Sequence, residues 1–357
     1  MPLDLEQGAR NLLQQCALAR PGERLLLVGE QCATPYFDPA LCTEVARAAA
    51  AFDLETRILL AEPGADAAHF PQTVIDAMQD ADIVIFFSRL GDQVRFVESP
   101  GPGRKIMTYT LTLDHLGSEF ATVDYTAMQT MHDRLLSDIR GASRYRIETD
   151  SGTHLEAQIP VSAFGEESAV TEFSLALFPV MIFPPINFHG LNGQLVLDHF
   201  LTSSSTRAYD DSVLRLDTPI NVTIEDSRMV GFDGDTETIG RVRAQLERAA
   251  TITGGDPYRL NSWHTGINPY TFFADDPYAD LERWGSVAFG SPRYTHLHAA
   301  GNDPGDISIQ LFDASISFDD TPYWERGRFL FLDQPDLRRQ FDSRPMPDSS
   351  TRMSIGL

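Results

Sequence analysis

Four short apolar runs punctuate the first 145 or so residues: Arg24-Leu25-Leu26-Leu27-Val28, stopped by Gly29, then Arg57-Ile58-Leu59-Leu60, Asp82-Ile83-Val84-Ile85-Phe86-Phe87, and Lys105-Ile106-Met107-Thr108-Tyr109. Unbroken apolar character, rather than alternation, is what strands covered on both faces require. An Ala-rich stretch from Ala40 to Phe52 and another around Thr73 to Met78 lie between the first three runs and are predicted as helices. Buried strands joined by helices imply parallel βαβ units. From about Ser143 the pattern changes to alternation. Arg144 to Thr149 and His154 to Ile159 flank the turn Ser151-Gly152-Thr153, as in a hairpin. Asn221 to Glu225 and Met229 to Phe232 form a second such pair across Asp226-Ser227, and Asp306 to Gln310 with Ala314 to Phe318 read as a third. One helix, roughly Thr238 to Ala250, interrupts.

The predicted architecture is a parallel α/β domain over residues 1–145, followed by a β-rich α+β domain over 146–332 that carries the site. A Pro-bearing tail over 333–357 is expected to wrap the surface or lack order. A chain of 357 residues suits two domains, and 42% hydrophobic content suits a well-packed interior. The net charge of -23 argues against nucleic acid or an anionic membrane surface as partner. No apolar run reaches the roughly 18 residues that a membrane span needs. Cys16, Cys32 and Cys42 match no zinc spacing, and their odd number with no cleavable leader points to a reduced cytoplasm. A single lysine, Lys105, amid abundant Arg and Ala suggests a bacterial source.

Chemistry concentrates late in the chain. Ser262-Trp263-His264-Thr265-Gly266-Ile267-Asn268-Pro269 and Tyr294-Thr295-His296-Leu297-His298-Ala299-Ala300-Gly301-Asn302 hold three of the nine histidines, and Asp306 follows closely. Imidazoles plus one carboxylate are a ligand set for a first-row divalent metal, and two His with one carboxylate suit non-haem Fe(II). Other chemistries lack their signatures. Gly29-Glu30-Gln31-Cys32-Ala33 has no phosphate-loop glycine spacing, and no Gly-x-Ser-x-Gly elbow occurs.

Pro21-Gly22-Glu23-Arg24, Gly152-Thr153, Phe183-Pro184-Pro185, Gly266-Ile267-Asn268-Pro269 and the His-Ala-Ala-Gly segment stand in an order that resembles the aminopeptidase T/S-type metallopeptidases and their relative 2,5-dihydroxypyridine dioxygenase. The resemblance runs from about Leu12 to Leu330. It implies that a peptidase Glu ligand falls on Asn187 and another on His264, where the dioxygenase relatives have His and a single iron. The third ligand falls on His296 or His298. A family His-x-Asp pair falls on Asp306 and Ser308, so the pair is lost. Either the site is rebuilt as His264, one of His296 and His298, and Asp306, or it has decayed and no metal is bound.

The leading expectation is therefore an Fe(II)-dependent oxidation or ring cleavage of a small hydroxylated aromatic. His189 would move a proton, and Asn187, Tyr270 and Ser308 would line the substrate site. The alternative is a metal-free member binding a peptide or small molecule in an interdomain cleft, such as a biosynthetic precursor peptide. A metallo-aminopeptidase ranks third. The resemblance also implies a homodimer formed through the β-rich half. Each residue keeps a plainer reading: His264 as a hydrogen-bonded structural imidazole, Asp306 as a turn former after Pro304-Gly305, His189 as a loop histidine, and Tyr270 as packing. In a strand, His296 and His298 share a face, and one of them is expected to be the ligand.

Overall fold

The computed structural model describes residues 3–159, 171–208, 210–340 and 346–357. The four apolar runs form parallel strands Arg24–Glu30, Glu55–Ala61, Ile83–Phe87 and Arg104–Thr108. Their spatial order sets Arg24–Glu30 between the second and third, with Ala176–Phe178 added beyond the fourth. That fifth strand follows the hairpin of Arg144–Glu148 and His154–Gln158 in the chain, so the parallel sheet is completed only after the chain has returned from another sheet. The two predicted helices occupy Ala40–Ala50 and Gln72–Gln79, each burying an apolar stripe. Among the described residues no helix is long and apolar enough to cross a membrane.

The remainder is two large antiparallel sheets. One has eight strands and contains two of the three predicted hairpins, Arg144–Glu148 with His154–Gln158 and Ile220–Glu225 with Arg228–Asp233. The second turn is made by Asp226 and Ser227 in left-handed conformations, the geometry of a two-residue hairpin loop. The other sheet has six strands, in the order Leu214–Arg215, Phe200–Ser203, Ile307–Phe312, Tyr294–Ala299, Leu260–Thr265 and Ile186–Asn187.

The third expected hairpin does not form. Ile307–Phe312 lies in the six-stranded sheet between Phe200–Ser203 and Tyr294–Ala299, whereas Ser315–Phe318 pairs with Arg144–Glu148 in the eight-stranded one. Both edges of the first strand are taken. Asp313, at φ 49°, turns the chain from one sheet into the other.

Side-chain alternation in the six-stranded sheet separates two layers. Trp263, Leu297, Ala299, Ile307, Ile309 and Leu311 face the eight-stranded sheet and share its core with residues such as Ile147, Leu155 and Val222. Tyr294 on the opposite face joins the core around the parallel sheet, together with Phe200 and the helix Leu281–Ala288. The sheet is thus covered on both sides. That helix is held from behind by the chain's far end: Trp284 Nε1 donates to the Ile355 carbonyl at 2.7 Å, and Ile355 is fully buried. The tail therefore ends docked, with a short helix at Pro335–Gln340. Residues 341–345 lie outside those described.

Candidate functional site

Register brings the three histidines together. His264 lies directly across from His296, and His298 lies across from Ser262 on one side and Ser308 on the other. Because strand side chains alternate, His296 and His298 project to the same face as His264. Ring centroids are 4.2 Å apart for His264 and His296, 5.1 Å for His264 and His298, and 4.9 Å for His296 and His298. One donor atom from each lies within 4.8 Å of the other two.

Hydrogen bonds fix two of the rings. His264 Nδ1 lies 2.9 Å from the Phe183 carbonyl, an acceptor only, so this nitrogen carries the proton. The Nε2 lone pair that remains is buried without a partner. His298 Nδ1 lies 3.0 Å from the Ser262 hydroxyl. That hydroxyl gives its hydrogen to the Pro304 carbonyl at 2.8 Å, so it accepts from His298 and leaves Nε2 with a lone pair. His296 Nδ1 is also buried and unpartnered. Burial is the main reason all three stay neutral: His264 is pushed down to about 3, and His296 and His298 fall well below the usual imidazole value. Neighbouring imidazoles depress the last two further, and the Arg95 guanidinium acts on all three. Neutral, buried imidazoles, two of them oriented by hydrogen bonds and two keeping an unpartnered ring nitrogen among the described residues, suit a divalent transition metal. The residues present fit such an ion.

Asp306 stands apart from this cluster. Its carboxylate pairs with Arg207 at 3.5 Å. Burial raises its pKa and Arg207 opposes the rise. The group that could hold a metal among the described residues is the three histidines, with both His296 and His298 included, where one had been expected.

The other expected site residues divide. Ser308 lines the small pocket beside the three rings. Asn187 pairs with Ser262 in register, but its side-chain oxygen accepts from Thr171 Oγ1 at 3.1 Å and it does not line that pocket. Tyr270 lines a separate apolar groove with Phe120 and Phe272. His189 is exposed on the turn after Ile186–Asn187, and a proton-transfer role at the cluster has no geometric support there.

Two pocket residues escape sequence reading. Arg95 is buried beside the histidines; it pairs with Asp92 at 3.1 Å and donates to the Ser204 carbonyl at 2.8 Å. Glu282, on the helix Leu281–Ala288, lines the same pocket. Neither sits in any motif, and only the three-dimensional placement singles them out. Free space beside the rings is small, about 30 Å³, room for an ion with a small ligand and not for an aromatic ring. A second cleft of about 390 Å³ adjoins it and shares Ser203, Ser205 and Glu282.

No family model matches the chain, and no curated protein does. A solved structure is similar: that of 2,5-dihydroxypyridine dioxygenase from Pseudomonas putida KT2440, with a TM-score of 0.57 and 14% sequence identity over 91% of this chain and 97% of that one. At this identity the likeness is one of fold. The aminopeptidase side of the resemblance finds no support in these comparisons.

Proposed function

We propose that the protein is a mononuclear metal-dependent enzyme that oxidises a small hydroxylated aromatic compound with O₂, Fe(II) being the metal. The observation carrying this reading is the set of three neutral, buried imidazoles brought within ligand distance of one another, two of which, His264 and His296, keep a ring nitrogen without a partner among the described residues. The dioxygenase fold of the structural neighbour supports the choice of chemistry. Iron held there would supply Lewis acidity and redox capacity at positions left open by three protein ligands.

The chain's own residues set the conditions. Phe183 and Ser262 orient His264 and His298, and the buried faces of the sheet keep bulk water away. Ser308 offers a hydroxyl to whatever enters, and Arg95 favours anionic character beside the rings. A dinuclear peptidase site is disfavoured, because no carboxylate joins the cluster among the described residues. Metal-free binding of a peptide or small molecule is the second reading, and the adjoining cleft of about 390 Å³ is what favours it. A bacterial, cytoplasmic setting and a homodimer formed through the β-rich half accompany the proposal; sizing chromatography checks the dimer.

Metal content by mass spectrometry, on protein purified without chelator and again after anaerobic addition of Fe(II), tests the function. About one equivalent of metal, lost in His264→Ala, is expected, with O₂ uptake on hydroxylated aromatics. No metal under either condition overturns the reading and leaves the metal-free one.

A further inference from the structure

The pocket beside the histidines is too small for a ring, so an organic substrate must be held mainly in the adjoining cleft of about 390 Å³, a size typical of small-ligand sites. Tyr36 and Arg89 come to this cleft from the parallel domain, and Ser203, Arg207 and Glu282 from the β-rich half and its covering helix. Charge on this lining is unevenly compensated. Arg89 pairs with Glu30 at 2.8 Å and also lies over the Tyr36 ring, 4.0 Å from its centroid. Arg207 pairs with Asp66 at 2.5 Å. Glu282 has no ion-pair partner among the described residues, and the neighbouring Arg283 turns away to Asp275 at 2.9 Å.

The two oxygens of Glu282 differ. Oε1 accepts short hydrogen bonds from Ser203 Oγ at 2.7 Å and Ser212 Oγ at 2.6 Å. Among the described residues Oε2 has only the Tyr36 hydroxyl at 3.5 Å. Two hydroxyls thus lock the carboxylate in place while one oxygen keeps acceptor capacity, at the junction of cleft and histidine pocket. The flanking Tyr36–Arg89 stack offers a flat surface for a ring.

We propose that this cleft is the substrate chamber and that Glu282 is its hydroxyl anchor, accepting a hydrogen bond through Oε2 from a ring hydroxyl of a small planar aromatic. The proposal rests on the oxidase reading for its choice of substrate class, but anchoring itself involves no metal. Ligand binding to chelator-stripped protein therefore tests it separately.

Calorimetric titration of the metal-free full chain with 4-nitrocatechol, and with its dimethyl ether, is the experiment. Nitrocatechol binds and the ether binds more weakly. Glu282→Gln lowers nitrocatechol affinity by roughly tenfold or more, the scale of a hydrogen bond to a charged group, and leaves the ether unchanged. Ala208→Trp, at an exposed position on the cleft wall, abolishes binding of both with the fold intact. Equal affinity for the two compounds, equal losses for both in Glu282→Gln, or Glu282-dependent binding of benzylamine in place of nitrocatechol would each overturn the proposal. Metal uptake without nitrocatechol binding sinks only the chamber. Nitrocatechol binding without metal uptake sinks only the oxidase.

Discussion

Ser262 carries no charge and touches no open space, yet it decides which nitrogen of His298 faces inward. Removing its hydroxyl in Ser262→Ala frees that tautomer, and metal affinity is expected to fall about 10–100-fold without loss of fold. Competition against a coloured chelator reads the change. The same three rings tie stability to acidity. Each is held neutral when folded but takes a proton near the ordinary value of 6.5 once unfolded. Unfolded chains then bind more protons than folded ones, so the contribution is full above about pH 6.5 and is lost as pH falls toward about 3. Urea midpoints of stripped protein should drop between about pH 7.5 and about pH 5, and His296→Gln should flatten that slope. The histidines were legible in the sequence because two short segments hold them, and alternation predicts that His296 and His298 share a face. That both join the cluster was not legible, since it depends on the register against His264. Nor was the fate of Asp306, settled by Arg207 from a segment about a hundred residues earlier. Lone charged residues such as Arg95 and Glu282 leave no spacing to detect.

Elements were legible where burial is complete or where a turn is local. The parallel strands declare themselves as unbroken apolar runs, and two hairpins as alternation around a short turn. The strands flanking Asp313 mislead because adjacent alternating runs also arise when a chain passes from one sheet to another. The helix Leu281–Ala288 carries its own signal in the sequence: Asp280 caps it, and Leu281, Trp284 and Ala288 recur at helical spacing. A glycine supports the neighbouring strand. Gly305 sits at φ 112°, and a Cβ there would come within 2.8 Å of His298 Cβ. Gly305→Ala is therefore expected to cost about 1–3 kcal/mol and to displace His298, lowering both the thermal midpoint and metal occupancy. An unchanged occupancy would show that this turn does not position the ring.

The molecule as a whole carries a net charge of -23. Self-repulsion at this charge weakens the compact state, and added salt screens it. The melting temperature should rise by a few degrees between about 0.01 M and about 0.15 M ionic strength, and scanning calorimetry would detect it. A flat response would mean that the many surface Arg–Asp and Arg–Glu pairs, weakened by the same salt, offset the gain.

The covered sheet has one more outcome, and it concerns time. Three candidate ligands lie between two packed layers with about 30 Å³ of free space beside them, so an ion held there would exchange slowly, as the narrow junction with the adjoining cleft opens. Exchange with the surroundings is then governed by the rarity of that opening and not by the strength of the bonds. A sample would keep an ion met while folding until a chelator or long equilibration removed it. Two preparations of identical sequence can differ in activity for as long as each remembers its own beginning.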